Sequence, residues 1–302
     1  MLLRHARYLV AVADHGSFTR AAAELHVSQP ALSQQIRQLE EMLGAQLLDR
    51  TGRIVRPTDA GHAYIDHARR ALREFEAGRR AIHDVEKLDS GALRLAFTPT
   101  FTTYLVGPLV RQFHARHPGI GISVDVLAQT EMETALSEDR IDLGVAFGTV
   151  QSDDIIARPL YEECLCLVVG EGHSAFAHAE LAASGLDGMD LALLDTTFVT
   201  RATIDRYLQA NAAHPRIAIE SNSVGCLLAT LRGGGLATIM PQAAASEITG
   251  LKAIQLLPPI ASRTVSILQR DGAYRTAASR AFVRMLEAWE WASLRGDPPA
   301  AA

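Results

Sequence analysis

Gln29, Ser33, Gln34 and Arg37 stand at i, i+4, i+5 and i+8, a spacing that places all four on one side of a helix. A carboxamide matches the edge of adenine in two hydrogen bonds, and a guanidinium matches guanine. Ser28 and Pro30 open that helix, and Ser17 opens the one before it. A hydroxyl beside the free backbone N–H groups of a helix start suits a phosphate. Arg50 and Arg53 lie close in sequence, Arg20 flanks the two-helix unit, and all three supply cations for the same purpose. The candidate DNA contacts are therefore Ser17, Arg20, Ser28, Gln29, Pro30, Ser33, Gln34, Arg37, Arg50 and Arg53. The competing assignments are a solvated helix face, simple caps, an intrahelical pair of Arg37 with Glu40 or Glu41, and a pair of Arg50 with Asp49 or Glu41.

A second group of polar residues follows predicted strands. Thr98-Pro99-Thr100-Phe101-Thr102 and Gln129-Thr130 each open a helix, as do Thr196 to Arg201 and Asn222-Ser223. Helix starts bind a small anion through hydroxyls and N–H groups without a buried ionised side chain. Arg201 either neutralises such an anion or lies outside on its helix, and the threonines and serines are otherwise caps.

These residues need elements to hold them. Helical periodicity runs from Leu2 to Ala13, and from Phe18 to Leu25 after the cap Ser17. After a turn at Leu25-His26-Val27, Ala31, Leu32, Ile36, Leu39 and Leu43 form the buried face of a third helix that ends at Gly44. That is the layout of a helix-turn-helix. Gln46 to Arg50 and Ile54 to Arg56, joined through Thr51-Gly52-Arg53, predict a hairpin wing. From Thr58 to about residue 88, Ala68, Leu72, Phe75, Ile82 and Val85 recur at near-heptad spacing among charges, the pattern of a helix that pairs with a partner, the alternative being an amphipathic helix packed on its own domain. Asp89-Ser90-Gly91 reads as a linker. Beyond it, strands at 93–97, 122–127 and 141–147 alternate with helices at 102–114 and 132–137, which implies a parallel sheet. Further strands at 165–169, 191–194, 217–220, 236–240 and 265–268 alternate with helices at 202–210, 224–232 and 277–291. The expected result is two small α/β lobes, with the chain crossing near 163 and back near 264.

Composition narrows the classes. The chain has 302 residues, 48% hydrophobic and 21% charged, room for two or three domains with real cores. Residues 1–90 carry a net charge of +1 and the remainder −6, so contact with phosphates must rest on a local patch such as Arg50, Arg53 and Arg56. No apolar run is long enough for a membrane span, and the interrupted N-terminus reads as a helix rather than a signal peptide. Three cysteines fit a reducing cytoplasm. Cys164 and Cys166 alternate in a strand, as buried core rather than a thiol switch. The histidines have no zinc spacing, Gly233-Gly234-Gly235 lacks the residues of a phosphate loop, and no nucleophile set can be assembled. The chain is therefore expected to use no metal or cofactor and to be no enzyme. The competing class is a binding protein or enzyme with an accessory helix-turn-helix, which turnover of the ligand would reveal.

The segments Ala21-Ala22, Leu25, Val27 to Ser33, Ile36 to Glu40 and Leu43-Gly44 resemble the LysR-type transcriptional regulators, as do Leu47, Arg50, Arg56, Thr58 and Gly61. Arg140 to Gly144 and Gly233 to Leu236 extend the likeness along the chain. The resemblance implies an N-terminal all-α winged helix-turn-helix over 1–58 and a dimerising linker helix and hinge over 59–90. It implies a C-terminal α/β two-lobed effector domain like a periplasmic binding protein over 91–295, with lobe I at 91–163 and 265–295 and lobe II at 164–264. Residues 296–302 are expected to fray. The implied partners are double-stranded promoter DNA, further copies in a homodimer or homotetramer, RNA polymerase and a small inducer, with no membrane. By this likeness Thr100, Gln129, Phe147 and Thr200 fall where inducers are held, and Thr98, Pro99, Phe101 and Arg201 complete the expected effector site. A closer likeness within the family runs through His15 to Ala22, Arg80 to Val85, Thr98 to Thr102, Ile219 to Ser223 and Gly250 to Ile254. It implies cyanate as the inducer and an autoregulated activator of cyanate-detoxification genes.

Overall fold

The computed structural model describes residues 2–52, 54–84, 91–246 and 248–291, and the chain divides into two units between His83 and Asp84.

In the first unit, α1 (Leu2–His15), α2 (Phe18–Glu24) and α3 (Gln29–Leu43) close around Leu9, Val12, Ala21, Ala22, Leu32, Ile36 and Leu39. Val12 takes the inward position that periodicity assigned to Val10 and Ala13, which are only half-buried. Ser17 Oγ accepts from Arg20 N–H and Ser28 Oγ from Ala31 N–H, so both serines cap their helices. Gly44 ends α3 at φ 65°, a left-handed conformation that glycine adopts without steric cost. The wing is short: β1 (Leu48–Asp49) pairs antiparallel with β2 (Arg56–Pro57). Arg53, the expected tip contact, lies outside the described residues. Thr58 Oγ1 accepts from Gly61 N–H and caps α4 (Asp59–Asp84). A side chain at Gly61 would overlap the carbonyl of Leu47, so glycine is required where α4 docks on the wing. Ile65 and Ala68 of α4 are buried, whereas Phe75 is 63% exposed. Val85 lies outside the described residues, as does the side chain of Ile82.

The second unit begins with β3 (Gly91–Phe97), a 3-10 turn (Pro99–Thr103), α5 (Val106–Arg116), β4 (Ile120–Val126), α6 (Gln129–Ser137), β5 (Leu143–Phe147) and β6 (Ile155–Glu163). The chain then forms β7 (Leu165–Gly170), β8 (Glu180–Ala182), β9 (Asp190–Leu194), α7 (Val199–Ala210), β10 (Arg216–Ser221), α8 (Val224–Leu231), β11 (Ala237–Pro241), α9 (Gln242–Ser246) and β12 (Leu251–Leu257). It closes with β13 (Arg263–Arg270) and α10 (Ala277–Glu287). One sheet has the order β4-β3-β5-β13-β6 and the other β10-β9-β11-β7-β12-β8. The first three strands are parallel, as the alternation predicts. β6 and β13 run antiparallel with Glu163 opposite Arg263, and these two residues mark where the chain leaves the first sheet and returns to it.

The expected helix at 102–114 is instead a 3-10 turn followed by α5, because Pro99 sets up a tight turn before Gly107-Pro108 start the regular helix. β6, β8 and β12 were not expected. Cys164 precedes β7 rather than sharing it with Cys166.

Candidate functional site

On α3 the side chains of Gln29 and Gln34 are exposed and Ser33 is half-exposed, while Leu32, Ile36 and Leu39 face the core. Arg37 is exposed, and among the described residues it makes no ion pair with Glu40 or Glu41. Glu40 is occupied elsewhere: it accepts from the N–H groups of Leu47 and Leu48 and pairs with Arg50 at 2.6 Å. Arg50 also lies over the Phe18 ring, 5.1 Å from its centroid. That corrects both the expected contact and the expected partners Asp49 and Glu41, because the Arg50 guanidinium joins α3 to α2 and the wing. Arg20 donates to the carbonyl of His15 at 2.6 Å and remains exposed. The capping serines use Oγ as acceptor, which leaves each O–H free to donate to a phosphate. Pro30 is exposed within the first turn of α3, where it needs no N–H partner. The geometry offers an unpaired row of amide, hydroxyl and guanidinium groups on a rigid helix.

In the second unit, residues that follow strands of the two sheets surround one small cavity of about 10 Å³. Thr98, Pro99, Thr100, Gln129 and Phe147 come from one side and Leu194, Phe198, Val199 and Thr200 from the other. Thr98 is 6% and Thr100 3% exposed, and neither hydroxyl has a hydrogen-bond partner. An unsatisfied buried hydroxyl costs about 1–3 kcal/mol, so two at one cavity mark a place for a polar guest. Gln129 is already bound: its amide donates to the carbonyls of Phe147 at 3.2 Å and Thr149 at 2.5 Å and accepts from Phe147 N–H at 3.3 Å. It holds the end of β5 in place and presents Phe147 to the cavity. Thr200 Oγ1 accepts from Arg263 Nη1 at 2.8 Å, leaving its own proton to donate. Two expected effector residues are corrected. Phe101 is fully buried against Tyr104 and Phe147 and does not line this cavity, because the 3-10 turn rolls its ring into the core. Arg201 is held by Asp205 at 2.8 Å, Glu220 at 2.5 Å and the carbonyl of Leu194, so its charge is spent inside the lobe. The cavity opens toward a groove of about 670 Å³ whose polar walls include Thr102, Thr130, Glu131, Asp195, Asn222 and Ser223.

The chain matches "Bacterial regulatory helix-turn-helix protein, lysR family" over residues 3–62 and "LysR substrate binding domain" over residues 86–290. The chain belongs to the LysR family. It is similar to the hydrogen peroxide-inducible genes activator of Haemophilus influenzae, 29% identical over 275 residues that cover 90% of this chain and 91% of that one. The fold is shared with full-length OxyR from Pseudomonas aeruginosa at TM-score 0.74 and 23% identity, covering 99% and 98% of the two chains. Full-length CbnR complexed with its target DNA aligns at TM-score 0.56 and 25% identity, covering 95% and 99%. This LysR-family chain is a DNA-binding transcriptional regulator with an effector-binding domain, not an enzyme. No helix among its described residues is long and apolar enough to cross a membrane.

Sequence reasoning missed a buried ion pair of this LysR protein, at the paired ends of β6 and β13, whose arginine also reaches Thr200 of α7. Arg263, 9% exposed, meets Glu163, 2% exposed, with Nε 2.7 Å from Oε2 and Nη2 2.5 Å from the same oxygen. Arg263 also lies 3.8 Å from the centroid of Phe147. Tyr104 donates to Glu163, and its hydroxyl is 3.2 Å from that of Tyr161. Burial and the Glu163 charge push both phenols well above their ordinary range, which keeps them protonated. The available signal was an acid and a base sitting at the two expected crossing points.

Proposed function

We propose that this regulator reads promoter DNA with Gln29, Ser33, Gln34 and Arg37 and answers a small anion held by Thr98, Thr100 and Thr200. The observation that carries the effector half is the pair of buried hydroxyls, unpartnered among the described residues, at the small cavity. Hydroxyl donors and no ionised side chain in the lining suit a monoanion of few atoms. Ser17, Ser28, Arg20 and Arg53 fix the reading helix on phosphates, and α4 joins two copies so that paired half-sites share the binding energy. The setting is the cytoplasm, with RNA polymerase as the further partner.

Cyanate is the narrower candidate for the anion. A cavity of about 10 Å³ holds about one water-sized group, so a compact linear ion needs the least opening. Three heavy atoms at a ceiling of about −1.5 kcal/mol each give a dissociation constant of roughly half-millimolar at best. A larger organic acid is the second reading, favoured by the 670 Å³ groove beside the cavity. A thiol response to peroxide, the signal in the relative's name, finds no support at Cys164 or Cys166, while Cys226 is exposed. Burial pushes Cys166 up to about 12 and raises Cys164, away from a reactive thiolate.

The test is a footprint of the purified protein on its own upstream DNA at fixed salt, with and without millimolar cyanate. The expected result is a protected dyad whose length or hypersensitive sites change with cyanate, and which Gln34→Ala weakens. Protection that ignores cyanate but responds to another small acid keeps the anion reading and discards cyanate. Absence of protection rejects the assignment of α3.

A further inference from the structure

The central cavity borders a second groove: Phe147 and Val199 line both the cavity and a groove of about 560 Å³ whose other walls include Thr149, Thr203, Arg206, Arg263, Thr264 and Ser266. The two grooves differ in sign. The first carries the carboxylates Glu131 and Asp195 and no cation. Asp195 is held below its usual range by hydrogen bonds from Thr197, so it stays ionised. The second groove carries Arg206 and Arg263 and no carboxylate in its lining. The Arg263 charge is offset by Glu163, and Glu162 holds the Thr264 hydroxyl at 2.6 Å from outside the lining. Among the described residues Arg206 has no such acidic partner: its guanidinium reaches the carbonyl of Ala202 at 3.2 Å and the hydroxyl of Thr203 at 3.4 Å.

We infer that the effector anion enters and is first bound at the Arg206 groove, a cationic subsite for a small oxoanion or carboxylate, and not at the Glu131–Asp195 opening. The inference deepens the proposed function and rests on its reading of the effector as an anion. A cleft with one sign of charge at one end focuses the field along its length. An anion approaching from the first groove meets two carboxylates. One approaching from the second meets a free guanidinium, then the hydroxyls of Thr149 and Thr203, then the Phe147 wall beside Thr200. Arg206 thereby selects for negative charge before the threonines select for size. The sequence offered no such reading, because Arg206 is one of many arginines and its place beside the groove depends on the fold.

The experiment is an iodide soak of crystals of the full chain, read by anomalous scattering, on wild type, Arg206→Gln and Glu131→Gln. Iodide is expected beside Arg206 in wild type and in Glu131→Gln, absent in Arg206→Gln, and absent from the Glu131–Asp195 opening in wild type. Arg206 is exposed on α7, so its variant should fold, and its unchanged melting temperature would confirm that. In solution, Arg206→Gln is expected to weaken the thermal shift given by sodium cyanate about two- to five-fold in midpoint concentration, the range for one exposed charge. Iodide at the acidic opening, or equal iodide density in Arg206→Gln, overturns the inference. Iodide at Arg206 with a footprint that no anion alters would sink the effector reading and leave the subsite standing. A cyanate-responsive footprint with no iodide at Arg206 would do the reverse.

Discussion

Thr98 and Thr100 hold buried hydroxyls that no described residue satisfies, and the chain bears that cost at the one place where two sheets converge. Replacing Thr100 by valine removes the orphaned group while keeping the shape. Thr100→Val is therefore expected to leave the unliganded protein as stable, or to stabilise it by about 1 kcal/mol, while abolishing its response to the anion. Urea unfolding beside a ligand-induced melting shift checks both halves, and a destabilised variant would show that the hydroxyl already has a partner. Arg263 and Glu163 behave oppositely. Arg263→Met leaves a buried carboxylate with only the Tyr104 hydroxyl and should cost about 3–5 kcal/mol, whereas the double change with Glu163→Met should recover most of that loss. Full additivity of the two changes in urea unfolding would show that the pair is not coupled. None of these energetic roles was visible in residue types alone. Thr98 and Thr100 were named from their place after a strand, but whether a hydroxyl is spent on a backbone carbonyl depends on turn geometry that spacing does not specify.

The helices of the first unit were largely legible, because caps and periodicity are local signals. Ser17, Ser28 and Gly44 sit where the pattern put them, since each satisfies or ends a helix terminus by itself. Strands were less legible. β6 carries Arg158, Pro159 and two glutamates among its apolar residues, and β12 carries Lys252 and Gln255 inside a short run, so neither shows clean alternation. Their place is set by long-range pairing with β13 and β7. Three site residues are placed otherwise than spacing suggested: Arg50 pairs with Glu40 of α3, Arg201 gains Glu220 of β10 beside its own-helix partner Asp205, and Phe101 turns inward on the 3-10 turn. Gly61 makes the sharpest claim at the scale of elements. A methyl group there collides with the Leu47 backbone, so Gly61→Ala should separate α4 from the wing. Circular dichroism melting should show the first transition lowered by several degrees, equivalent to about 1–3 kcal/mol. An unchanged melt would mean that the junction yields more easily than packed backbone should.

At the scale of the whole molecule, the chain joins a helix face prepared for base edges to a domain prepared for a small guest. Phe75 stands exposed on α4, where the near-heptad pattern calls for a second copy. Phe75→Glu is expected to shift the protein toward monomer in sedimentation and to weaken promoter binding through the loss of paired half-sites. An unchanged sedimentation coefficient would remove α4 from the assembly. The modest basic balance of residues 1–90 makes such pairing more important, since one copy offers few cations to the phosphates. The account stands or falls on whether the cleft hydroxyls govern the DNA complex. The most direct measurement is an anisotropy titration of upstream DNA at fixed salt, on wild type and on the Thr98→Val, Thr100→Val double variant, each with and without millimolar cyanate. The account predicts equal DNA binding by both proteins without the anion, a changed isotherm for wild type with it, and no change for the variant. An equal anion response in both proteins would contradict it.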